Sequence, residues 1–165
     1  MVRTAAVIGV TLTLVSGVSA CGGQEQACGP ITREALDPDY LVHVLEDGPG
    51  LEYRSEPPTS GPHQPSPPVQ GAIDRELSRP VQVGILEGGS VLIQFRPDDL
   101  DADAEAALAA LAGDQVVVAP APDLPSPIVA TAWVFKRACD EPDVELLQDF
   151  IDERVGHGPD DPGGE

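Results

Sequence analysis

Basic side chains are scarce in this sequence. Nine Lys plus Arg stand against 28 Asp plus Glu, a formal net charge of −19 over 165 residues. A nucleic-acid binder neutralises phosphates with clustered Lys and Arg, so that class is excluded. Docking on anionic membrane through a basic patch is disfavoured on the same ground. Aromatic residues make up only 4 %. The one apolar run near the start falls short of the roughly 20 residues that a membrane-crossing helix needs. The only methionine is Met1, and there are three cysteines and three histidines. What the chain has in quantity is Gly and Pro, 17 and 18 residues. Its hydrophobic fraction of 41 % is too high for a wholly disordered acidic chain, so a core is expected within one domain of ordinary size.

The beginning of the chain has the form of an export signal. Arg3 supplies a positive start, and Ala5, Ala6, Val7, Ile8, Val10, Leu12, Leu14 and Val15 form an uncharged apolar stretch. It ends Val18-Ser19-Ala20-Cys21, which resembles a bacterial lipobox. There the cysteine is diacylated and becomes the new N-terminus. A plain secretory signal cleaved after Ala20 is the alternative. The expectation is a lipoprotein signal over residues 1–20 and an extracytoplasmic protein held to the cell membrane through lipid, such as palmitate, on Cys21. Two or more acyl chains suffice for stable anchoring. Cys28 and Cys139 then remain, and in an oxidising compartment they read as one disulfide. Free thiols or a metal pair are the alternatives, but the two lie far apart and form no CxxC pattern. A loop of about 110 residues closed in this way gains on the order of 4 to 5 kcal/mol in the chain-entropy model.

The pattern of the mature chain predicts one small α+β domain: a mixed sheet with two helices and a long Pro-rich loop. A tether covers residues 21–38, the domain 39–156 and an acidic tail 157–165. Strands are expected at Tyr40–Leu45, Val81–Leu86, Val91–Phe95, Gln115–Val118 and Ile128–Phe135. Residues 49–80 hold a proline-dense loop that either wraps the domain or stays mobile. A helix is expected over Asp98–Leu111, with Leu100, Ala104, Leu108 and Leu111 on one stripe and Asp98 or Asp99 as its cap. Strand, helix and strand in that order predict a parallel pair. A second helix has the stripe Val144, Leu147, Ile151 and Val155, with Asp140 as its cap.

Four groupings invite chemistry. Ser60 and His63, in Pro57-Pro58-Thr59-Ser60-Gly61-Pro62-His63, could be a nucleophile and a base. No orienting Asp accompanies them and no nucleophile elbow surrounds them, so a proline-stiffened loop is the plainer reading. His43, His63 and His157 form no HxxxH pattern, yet His43 and His63 could meet in space with Glu87 and hold a transition ion. The alternation Asp99, Asp101, Asp103, Glu105 lacks the Gly and Glu of a calcium loop and reads as acids at a helix start. Trp133, the single tryptophan, reads as core rather than as a ligand-stacking ring.

The heptapeptide Pro57 to His63 resembles a signature of the bacterial domain-of-unknown-function family numbered 3105. His43, Gly48, Tyr53, Leu86-Glu87, Phe95-Arg96-Pro97, Val116 to Pro120, Thr131-Ala132-Trp133 and His157-Gly158-Pro159-Asp160 are similar to its remaining motifs, in order. The resemblance spans roughly Tyr40 to Asp160. Two histidines of the family's VHNLEHGG-like stretch fall on Gly84 and Gly88. The residue after the heptapeptide, a Trp in the family, is Gln64. If the family shares a metal-binding centre, the resemblance leaves this member His43, His63 and Glu87. Two functions follow as expectations. One is a non-enzymatic, lipid-anchored module that binds an envelope protein or ligand, with no cofactor. The other is a degenerate metal-binding (copper or zinc) or enzymatic domain using those three residues. Close approach of His43 to His63 would favour the second.

Overall fold

The computed structural model describes residues 26–159. The expected signal segment 1–20, Cys21 and the end of the expected acidic tail lie outside them. Among the described residues no helix is long and apolar enough to cross a membrane.

The framework is a mixed six-stranded sheet with three helices. Its strands are β1 (Thr32–Arg33), β2 (Gly71–Ala72), β3 (Val91–Phe95), β4 (Val116–Pro120), β5 (Ile128–Ala132) and β6 (Phe135–Cys139), in the order β1-β6-β5-β3-β4-β2. β3 and β4 are parallel, as the strand–helix–strand pattern predicts, and β2 is parallel to β4. β3–β5, β5–β6 and β1–β6 are antiparallel. Every residue of β3 and β5 is buried. These strands therefore read as continuous apolar runs, because both faces are covered.

The helices are α1 (Arg79–Glu87), α2 (Ala102–Ala109) and α3 (Val144–Arg154). α1 packs on β3 and α3 on β5. α1 corrects the strand expected at Val81–Leu86 and makes three helices where two were expected. Val81, Val83 and Ile85 alternate like a strand, but Pro80 sits at the first turn, where a missing N–H costs nothing. Gln82, Val83, Gly84, Ile85 and Leu86 are all buried, so the helix shows no polar stripe to reveal its period.

Other expected boundaries move for local reasons. The helix expected from Asp98 opens as a short 3-10 turn, Pro97–Asp99, and α2 begins only after Asp101, whose carboxylate accepts from Ala104 N (2.8 Å). α3 is capped by Asp143, not Asp140, through Leu146 N (3.0 Å). The strand expected over Ile128–Phe135 breaks at Trp133-Val134, where Val134 takes a positive φ of 54°, and the chain returns as β6. Trp133 is buried, edge-on to Tyr40 at 6.3 Å. Tyr40–Leu45 is no strand: it begins in a turn, and its β-pairing among the described residues is one isolated bridge, His43 to His63.

The disulfide Cys28–Cys139 is present, with an S–S distance of 2.04 Å. Cys28 is buried and β1 pairs with β6, so the tether expected over residues 21–38 joins the fold from Cys28 onward.

Candidate metal centre

Three segments from separate parts of the chain converge on His63. The heptapeptide wraps the domain and is buried from Pro57 through His63. Thr59 O accepts from Val134 N (3.1 Å), which ties it to the β5–β6 turn. Ser60 Oγ accepts from Asp37 N (2.9 Å). Gly61 has φ +130°, and a Cβ there would lie 2.9 Å from the Tyr53 ring, so only glycine fits without displacement. The Tyr53 hydroxyl donates to Pro62 O (2.8 Å). Burial, with nearby Asp47 adding, pushes the Tyr53 phenol up to about 12, so it stays a donor at neutral pH. Arg79 lies over the Tyr53 ring at 4.9 Å and reaches Asp47 with two nitrogens at 3.2 Å. Its hydrogen bond to Asp47 raises the Arg79 pKa.

The second segment brings His43. His63 N donates to Val42 O and Val44 N to His63 O, both at 2.9 Å. The two rings stand edge to face with centroids 4.9 Å apart. His43 is exposed and His63 is 1 % exposed. The third segment is α1, whose last residue is Glu87. Gly84 allows the approach: a Cβ there would lie 2.0 Å from Gln64 O, on the residue after His63. The same closeness leaves no room for an imidazole at position 84 unless the heptapeptide segment shifts.

Ligand atoms of His43, His63 and Glu87 all lie within 4.8 Å of one another. His63 Nδ1 is 3.0 Å from Gly61 O. A carbonyl can only accept, so Nδ1 carries a proton, and Nε2 is the ring nitrogen left to act as a ligand. Nε2 is 3.1 Å from Glu87 Oε2 and makes no hydrogen bond. A lone pair this close to a carboxylate is repelled by it unless a cation or proton lies between. Glu87 also sits at the C-terminal, negative end of the helix dipole, where a cation is favoured and a carboxylate is not. A backbone carbonyl that holds the N–H of one ring nitrogen and leaves the other free to ligate is the arrangement metal-ligating histidines adopt. An ion bound tetrahedrally at about 2.0–2.1 Å holds its ligands roughly 3.3 Å apart. The His63–Glu87 pair already has that spacing, and the exposed His43 has freedom to close.

The other sequence-derived groupings do not assemble. Neither ring nitrogen of His63 bonds Ser60, whose hydroxyl serves Asp37 N, so no nucleophile–base pair forms. Asp99 pairs with Arg96 and Asp101 caps α2, as acids at a helix start do. Sequence reasoning did not find the Tyr53–Arg79–Asp47 brace. It did not find Gly84 as a point of close approach either, and a glycine within a buried helix was the only available signal.

The family of proteins of unknown function designated DUF3105 matches residues 43–164. No curated protein and no solved structure matches the chain. With most of its length inside that match, the chain belongs to the DUF3105 family.

Proposed function

We propose that this chain is a lipid-anchored, extracytoplasmic protein that binds a divalent transition ion, copper or zinc, through His43, His63 and Glu87. One observation carries the metal reading: a buried histidine has Nδ1 committed to a carbonyl and an Nε2 without a hydrogen bond 3.1 Å from a carboxylate at the negative end of a helix. Two imidazoles and one carboxylate suit zinc or copper(II) better than calcium or magnesium. Three protein ligands leave a coordination position open. His43 is exposed, so that position faces outward. The lipobox-like Val18-Ser19-Ala20-Cys21 supports the anchor.

Titrating the purified soluble domain with Cu²⁺ and Zn²⁺ tests the reading. One ion per chain is expected, with affinity falling at least about tenfold in His63→Ala, since loss of a ligand costs no less than loss of its supporting hydrogen bond. Equal binding by His63→Ala would sink it. Labelling cells with a palmitate analogue tests the anchor: incorporation should vanish in Cys21→Ala.

A further inference from the structure

The proposed metal ligand His43 lies in a chain segment rich in exposed apolar side chains. Among the described residues five large apolar side chains are exposed: Leu36, Leu41, Val42, Leu45 and Val144. Four of the five fall between Leu36 and Leu45, the stretch that carries His43. Leu41 is 74 % exposed and Leu45 84 %, and they bracket the exposed ligand. Scattered apolar residues on a surface need no explanation, but a cluster at a functional group marks an interaction site. The segment is not loose: the Val42 and Val44 backbone bonds to His63 hold it, and Asp39 N donates to Asp37 Oδ1.

Charge decides what covers it. Asp39 and Glu46 flank the leucines on the chain, and neither has an ion-pair partner among the described residues. A second copy of this chain carries the same acids on a net charge of −19, and an anionic lipid surface is repelled in the same way. A complementary partner is apolar at its centre and basic at its rim. We propose that the Leu36–Leu45 face is a docking surface for a protein segment with a leucine-like apolar face edged by Lys or Arg, seated over the outward side of the His43 site. This deepens the metal-binding reading by naming the chemistry of the partner, which would cover the exposed ligand His43.

The probe is a short amphipathic leucine–lysine peptide, fluorescently labelled, titrated with the soluble domain at physiological salt with a chelator present. A chelator makes the test independent of the ion: if the metal titration fails while docking succeeds, only the metal reading falls. The leucine–lysine peptide should bind and its leucine–glutamate counterpart should not. Leu41→Ser/Leu45→Ser should weaken binding at least about tenfold, the scale expected for two leucines losing burial. Val144→Ser, at the exposed apolar residue outside the Leu36–Leu45 stretch, should leave it within about twofold, as should Asp98→Asn/Asp103→Asn. Both leucines are exposed, so the double variant should keep its unfolding temperature. The proposal is overturned if the peptide does not bind, or if the Asp98/Asp103 variant loses as much as the leucine variant, since charge alone then explains binding. It is also overturned if the domain partitions onto phosphatidylcholine vesicles through the same leucines more strongly than it binds the peptide, since the surface then serves lipid.

Discussion

Carboxylates at the two ends of helices do opposite things in this molecule. Asp101 and Asp143 stand at the starts of α2 and α3, each accepting one backbone N–H, and Glu105 and Glu145 follow in the first turns. These acids satisfy orphan donors and meet the positive end of the dipole, so they stabilise without help. Glu87 stands at the end of α1, where the dipole opposes it, 3.1 Å from a buried nitrogen with no hydrogen bond to it. In an acidic chain most carboxylates mark solubility, and position along a helix separates the one that asks for a cation from those that do not. Three experiments break or sharpen that contrast.

The largest effect is expected from geometry. Gly84 lets Gln64 O approach α1, and that approach sets the distance from His63 to Glu87. Gly84→Ala must push the heptapeptide off the helix, and zinc affinity should drop by about tenfold or more. Gly88 lies one turn on, and a Cβ there makes only ordinary contact, 3.5 Å from the nearest atom. Gly88→Ala is therefore the matched control, with the same added methyl. If the two variants bind zinc alike, the spacing does not matter. Hydrogen exchange at His63 and Gln64 should rise in Gly84→Ala alone, which reports the displacement with no ion present.

How far the site was legible follows from the same residues. His43, His63 and Glu87 could be chosen from the sequence by chemistry, because so few imidazoles exist and one lies in a distinctive proline-rich motif. Their convergence could not be derived, since it depends on a bridge between segments 20 residues apart and on a helix hidden by complete burial. The central strands were readable because Val91–Phe95 and Ile128–Ala132 are buried on both faces. The turn that ends β5 was not: Trp133 and Val134 are strand formers, and tertiary packing overrides that propensity. Cap positions slipped by a few residues for a simpler reason. Asp98, Asp99 and Asp101, and likewise Asp140 and Asp143, are chemically equivalent candidates, and only the backbone path selects one.

A middle-sized effect is expected at the helix starts. Asp143→Ala removes the acceptor for Leu146 N at a part-buried cap and should cost about 1 kcal/mol, within the usual 0.5–2 range for such caps. Asp101→Ala should cost less, because Ala104 N is exposed and water replaces the lost acceptor. Chemical denaturation checks both. A loss near zero at Asp143 would remove the distinction between the two ends.

The smallest shift carries the most information, because its sign is at issue. Without metal, Glu87→Gln removes a charge that the α1 dipole opposes, and the new amide can donate to His63 Nε2 across the 3.1 Å gap. The variant should therefore be more stable than the parent by roughly 0.3–1 kcal/mol in chelator. In excess zinc the order should reverse. The parent gains binding free energy in its folded state that the variant lacks, and the gain grows with the logarithm of metal concentration. Thermal unfolding of both proteins in chelator and in zinc gives a crossing pair of results. A protonated His63 in an ion pair with Glu87 predicts the opposite: the substitution would then destabilise the protein in chelator and zinc would not change the order. The stability of one variant in two buffers thus separates a metal centre from a buried ion pair.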